Sequence, residues 1–260
     1  MGVRLATVTL TLLGGSFGGV ALGADRDIEW SITPYVWAVD TTYKLKSEGT
    51  NIGTGEVDFG DLMDTLDAAF QIVAEAGLAE SHWTAFVDLT YMSTSDREVM
   101  DLNGVGTLHL DADSEQIYVD AAIAYWPWRE VSGFNVYGGI RYTDLDDRTK
   151  VNLIEPIALP LGSIRLDGSF TDALIGMRDR FNLGRFGLSE HLDLIIRLDY
   201  GWGDSEGILM GQGVVRWAVG SERRQGLVIG YRYKEAKFEA NSVKEEYDYK
   251  GPVVGFNFRF

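Results

Sequence analysis

A chain of 260 residues with net charge −16 and no cysteine is long enough for one large domain. It repels nucleic-acid phosphate and carries neither disulfide staples nor thiolate metal sites. After residue 24 no run approaches the about 20 apolar residues of a spanning helix, so any membrane crossing has to be made by strands.

Met1 to Ala24 reads as a secretory signal peptide. Arg4 supplies the positive start, Leu5 to Val20 the apolar stretch, and Gly23-Ala24 small residues for cleavage. Residues 25–260 form the second unit. From there the dominant signal is alternation, repeated about ten times. Trp30, Ile32, Pro34 and Val36 share one face of the first expected strand, and Phe70, Ile72, Ala74 and Ala76 one face of the second. Trp83, Ala85, Val87, Leu89 and Tyr91 follow, then Ile117 to Tyr125, Phe134 to Tyr142 and a weaker Thr171 to Met177. Leu192, Leu194, Ile196, Leu198 and Tyr200 are the clearest set. Leu209 to Trp217, Leu227 to Tyr233 and the C-terminal Tyr247 to Phe260 complete the series.

The apolar faces carry no Asp, Glu, Lys or Arg. The opposite faces carry Glu75, Asp88, Asp120, Arg141, Asp172, Arg178, Arg197, Asp199, Arg216 and Arg232. Segregation by parity over strands of this length fits a closed, antiparallel, all-β transmembrane barrel of about ten strands, with apolar side chains outward and charges in the lumen. The rival with the same alternation is a soluble, lipocalin-like periplasmic binding barrel with the polarity reversed. Short connections at 79–82, 127–133, 183–190 and 220–226 read as turns on the periplasmic side, and 46–65, 96–113 and 146–169 as long outer loops. Trp30, Trp83, Trp126, Trp128 and Trp217 fall near the turn-side strand ends, the depth an indole prefers at a bilayer interface.

The last strand places Pro252, Val254, Phe256, Phe258 and Phe260 on one face. It resembles the C-terminal strand of Gram-negative outer-membrane barrels. That resemblance implies that Phe256, Phe258 and the final Phe260 belong to the signal read by the barrel assembly machinery. Pro34-Tyr35-Val36-Trp37-Ala38, Gly139-Ile140-Arg141-Tyr142, Asp172-Ala173-Leu174-Ile175-Gly176-Met177-Arg178, Gly230-Tyr231-Arg232-Tyr233 and Gly251-Pro252-Val253-Val254-Gly255 are similar in order and spacing to a largely uncharacterised family of such barrels. The resemblance implies a porin-like fold in the cell envelope and no settled activity.

Among chemical constellations, the inward charges read first as an ion-pair network filling a narrow barrel and second as the lining of a small pore. On a strand His109, Asp111 and Asp113 would share a face, which opens an omptin-like surface hydrolase as an alternative; the second acidic pair of that pattern is missing. His82 and His191 read as turn residues. No cofactor fingerprint or metal spacing occurs. The expectation is therefore a monomeric outer-membrane barrel, not an enzyme, in contact with lipid and lipopolysaccharide, with a structural or small-solute passage role.

Overall fold

The computed structural model describes residues 28–47, 50–57, 59–60, 66–101, 107–128, 133–153, 159–240 and 243–260. The expected signal peptide at 1–24 lies outside the described residues. Among the described residues twelve strands form one sheet: β1 (Ile28–Trp37), β2 (Asp40–Ser47), β3 (Thr50–Val57), β4 (Leu66–Leu78), β5 (Trp83–Asp101), β6 (Thr107–Tyr125), β7 (Asn135–Leu153), β8 (Leu159–Asn182), β9 (Leu192–Gly203), β10 (Gly207–Val219), β11 (Gln225–Ala240) and β12 (Val243–Arg259). Every ladder is antiparallel. β1 and β2 are two halves of one wall strand, since β12 pairs with β2 along 243–250 and with β1 along 253–259. β3 and β4 form the next wall strand in the same way, and the β1–β12 ladder closes a ten-strand barrel.

The break between β1 and β2 sits where Ala38 N donates to Pro252 O at 2.9 Å. Gly251 permits that approach: a Cβ there would lie 1.8 Å from Ala38 O. Closure at the other end of the same seam is made by Phe260 N donating to Trp30 O at 2.9 Å. A sheet with no free edge leaves no row of unpaired backbone groups, which is the condition for placing strands in hydrocarbon.

The connections at 79–82, 183–191 and 220–224, with residues 126–128 and 133–134, lie at one end with both terminal strand ends, here called the turn end. The segments expected as long outer loops are largely not loops. β5 runs on to Asp101, β6 begins at Thr107, β7 continues to Leu153, β8 begins at Leu159, and β2 and β3 take 40–47 and 50–57. Continued backbone pairing, such as Arg97↔Asp111 and Lys150↔Ser163, carries these hairpins upward as an extension of the wall. At ~3.3 Å per residue, the 19 residues of β7 exceed what a bilayer core about 25 Å thick requires. The excess forms a crown above the band.

Within the band the outward positions are apolar and exposed: Val36, Val87, Ile123, Ile140, Ile175, Ile196, Leu198, Val215, Ile229 and Val254. Trp30, Trp83, Trp128 and Trp217 ring the turn end, and Tyr200 and Trp202 lie at the opposite margin. Trp126 departs from the expected belt. Its Nε1 donates to Thr84 Oγ1 at 3.1 Å and its ring lines the lumen. This wall has apolar residues outside and Arg197 and Asp199 buried inside, the reverse of a soluble lipocalin-like barrel.

Candidate functional site

The lumen is the candidate site, and it is filled in three layers. The middle layer is an ion network. Arg141 holds Asp120 with two bonds (Nε to Oδ1 2.6 Å, NH2 to Oδ2 2.7 Å) and also donates to Asp199 at 2.7 Å. Arg197 donates to Asp88 (2.8 Å), Asp120 (3.0 Å) and Asp199 (2.9 Å). Arg232 reaches Asp88 at 3.3 Å and Gln212 at 2.7 Å. Two tyrosines knit the acids to the bases. Tyr35 donates to Asp88 and accepts from Arg232, while Tyr137 donates to Asp199 and accepts from Arg197. The Tyr137 ring lies against Gly176, where a Cβ would come within 2.3 Å of it.

The partners are arranged across the lumen as much as along the wall. Asp88 and Asp120 are cross-strand neighbours of like charge, as are Arg178 and Arg197. Arg197 on β9 and Arg232 on β11 instead reach to Asp88 on β5, and Arg178 on β8 reaches to Glu75 on β4. A guanidinium on a long stem spans an interior this narrow, so each carboxylate collects donors from several strands. Such a buried set is tolerable only when nearly every member is satisfied.

The ten residues expected in the lumen all point there, but they do not form one network. Asp172 pairs with no arginine among the described residues: its carboxylate accepts from Ser205 N (3.0 Å) and Ser205 Oγ (2.8 Å), tying down the β9–β10 turn. Arg216 is held chiefly by Asn257 Oδ1 (2.7 Å) and the Arg223 carbonyl (2.8 Å). Glu75 and Arg178 form a separate bidentate pair nearer the turn end (2.7 and 3.0 Å). Sequence reasoning missed Lys234, whose Nζ lies 3.3 Å from the centre of the Tyr118 ring. It also missed Arg180, Asp193 and Arg259. Each shares the inward parity of a strand that had already been assigned: Lys234 and Arg180 lie just beyond the stretch that was read, Asp193 and Arg259 within it.

Above the ions lies an apolar layer: Trp37, Val39, Leu145, Ile208, Ala236, Phe238, Tyr247 and Tyr249, with Tyr118 and Phe170 packed against them. Tyr247 and Tyr249 stack at 5.7 Å, and Phe170 meets Phe238 at 4.6 Å. Below the ions, at the turn end, is a cavity of about 140 Å³.

The outer-rim constellation falls elsewhere. His109, Asp111 and Asp113 lie on β6 opposite Val99, Arg97 and Ser95 of β5. The His109 side chain is outside the described part of the structure. Asp111 and Asp113 follow the parity of Ile117 and Val119, which places them away from the lumen. His82 and His191 sit at hairpin bases, with Nδ1 2.6 Å from Trp126 O and 3.2 Å from Ala218 O respectively. Among the described residues no cluster of His, Asp and Glu gathers as a metal site.

No family model and no curated protein matches the chain. Solved structures with a related outline include the outer membrane protease OmpT from Escherichia coli, at 10% identity and TM-score 0.49, covering 90% of this chain and 96% of that one. The translocator domain of the autotransporter NalP from Neisseria meningitidis follows at 11% identity and TM-score 0.48, covering 92% and 91%. Ail, the attachment invasion locus protein of Yersinia pestis, matches at 10% identity and TM-score 0.36, covering 90% and 99%. These likenesses are distant, and the barrel assignment rests on the strand pairing itself.

Proposed function

We propose that the chain is an integral β-barrel of a Gram-negative outer membrane with a structural role, its lumen closed to free diffusion by its own side chains. The supporting observation is the stacking of two different barriers. A layer of ion pairs crosses the lumen from β4 and β5 to β8, β9 and β11, and an apolar layer around Phe238 and Tyr249 fills the space above it. An ion passing along the lumen has to cross both a dry aromatic layer and a layer of charges already engaged with one another. In this setting the turn end faces the periplasm, the crown faces outward, and lipid and lipopolysaccharide surround the band. Phe256, Phe258 and Phe260 at the β12 seam are the segment offered to the barrel assembly machinery. No catalysis is assigned, because the three residues of the hydrolase alternative lie on one strand of the outer wall, and the cleft beside Asp113 is lined by Ser93, Thr94, Ser114, Glu115, Asp146 and Arg148, with no histidine among its described residues.

Conductance tests the closure. The protein refolded in detergent and inserted into planar bilayers is expected to give no steps above the lipid background. Steady steps from the unmodified protein, with ion selectivity altered by Arg178→Ala or Arg197→Ala, would replace closure with small-solute passage. The cavity reaching from the turn end up to Arg197 is the feature that favours this second role.

A further inference from the structure

The chain as a whole carries −16, yet the walls of the turn-end cavity are cationic. Arg178, Arg180, Arg216 and Arg259 project into it, and Glu75 is the carboxylate among its lining residues. We propose that this cup binds a small phosphate-type dianion.

The hydrogen bonds decide how much of that positive charge is already compensated. Arg178 and Glu75 are matched one to one by their bidentate pair. Arg180 and Arg216 share a single carboxylate, Asp193, at 2.8 and 3.5 Å. Arg259, opposite Ser31 on the seam strand, makes no side-chain hydrogen bond or ion pair among the described residues. Among the described residues four guanidinium groups therefore face two carboxylates, an excess of two positive charges in a confined, partly dry space. Excess charge of one sign is costly there, and a counterion that accepts several hydrogen bonds relieves it.

The shape of the donors narrows the chemistry. Guanidinium forks match the oxygen pairs of phosphate, and a dianion cancels the excess in full. Asn257 is already fixed by Ser31, Thr33 and Arg216, so the polar floor of the cup is built without the ligand. The cavity, about 140 Å³, is well above the ~10–15 Å³ that one water needs. Arg197 and Arg232 form its roof, but their donors are taken by Asp88, Asp120 and Asp199, so the roof adds little free charge. The cup goes beyond the closed barrel. Binding to refolded protein is read without any membrane potential, so its failure and the failure of closure are separate results.

Isothermal titration of the detergent-refolded protein with inorganic phosphate, at constant ionic strength in chloride, tests the proposal. Saturable binding is expected, and Arg259→Gln should weaken it by about tenfold or more, the loss of one charge-assisted fork. Glycerol 3-phosphate separates the sources: comparable binding assigns the cup to a phosphate carried on a larger molecule, and its exclusion assigns it to the free ion. A heat-dependent shift in gel mobility reports whether Arg259→Gln still forms the barrel. If it does not, the unmodified protein still decides. No saturable binding up to about 10 mM phosphate, equal competition by chloride, or unchanged affinity in a folded Arg259→Gln would overturn the proposal.

Discussion

The band and the crown are built from the same strands with opposite polarity. On β11 the outward residues of the band are Leu227, Ile229, Tyr231 and Tyr233, and they continue upward as Glu235, Lys237 and Glu239. The inward residues Arg232 and Lys234 continue as Ala236 and Phe238, both buried. The alternation keeps its phase, and only the chemistry of each face is exchanged. The band is an inside-out barrel suited to hydrocarbon. The crown is an ordinary soluble barrel, with surface pairs such as Lys46–Glu246 at 2.6 Å and Lys237–Glu235 at 2.6 Å around an aromatic core. Strand pairing is indifferent to what lies outside it, so the solvent at each height selects the face that carries the charge.

Three substitutions break or sharpen that contrast. The largest effect is expected from Asp88→Ala, which strips acceptors from Tyr35, Arg197 and Arg232 at once. Leaving buried guanidinium groups without their carboxylate should cost about 3–5 kcal/mol, measured by urea unfolding from lipid vesicles. A cost near zero would mean that the ion layer is wet and loosely held. Next comes a charge placed on the outer face. Ile196→Arg, at the middle of the β9 apolar set, should cost about 2–4 kcal/mol in the same assay. Thr42→Arg, on the outer face of β2 in the crown, should stay within about 0.5 kcal/mol. Equal costs at the two sites would remove the boundary between band and crown.

The smallest effect is a pH response confined to the crown. Asp147 and Glu245 face its interior above the band, and burial raises both carboxyls above their ordinary range despite hydrogen bonds from Ser114 and Tyr247. A carboxyl whose folded pKa exceeds its unfolded value of ~4 favours the fold most at low pH, and that contribution is lost as pH rises through the raised value. Hydrogen exchange in the upper parts of β7 and β12, corrected for intrinsic rates, should therefore be slower at pH 5 than at pH 8. The double variant Asp147→Asn, Glu245→Gln should abolish the difference. Persistence of the difference in that variant would place its origin elsewhere.

Much of this was legible in the residues. Val87, Ile123, Ile196 and Ile229 announce the outer face because period-two alternation leaves a strand only two directions. The same rule placed Arg141, Arg197 and Arg232 inside. The crown was equally present in the sequence, but it was read as loop. Where Tyr233 gives way to Glu235, the search for an apolar outer face ends although the strand does not. Lys234 and Arg180 were overlooked for the same reason, being inward positions at the margins of recognised strands.

What the sequence determined by itself is local: which side of the wall each residue faces, and about how many walls there are. Partnership across the lumen was decided by closure alone. Glu75 meets Arg178 across 103 residues and Tyr35 meets Arg232 across 197, contacts with no trace in spacing. They exist because joining β12 to β1 brings opposite walls within reach of one arginine side chain. The charge of Arg259, unpaired among the described residues, follows from the same geometry, since only a closed barrel reveals which cation is left without an acid there.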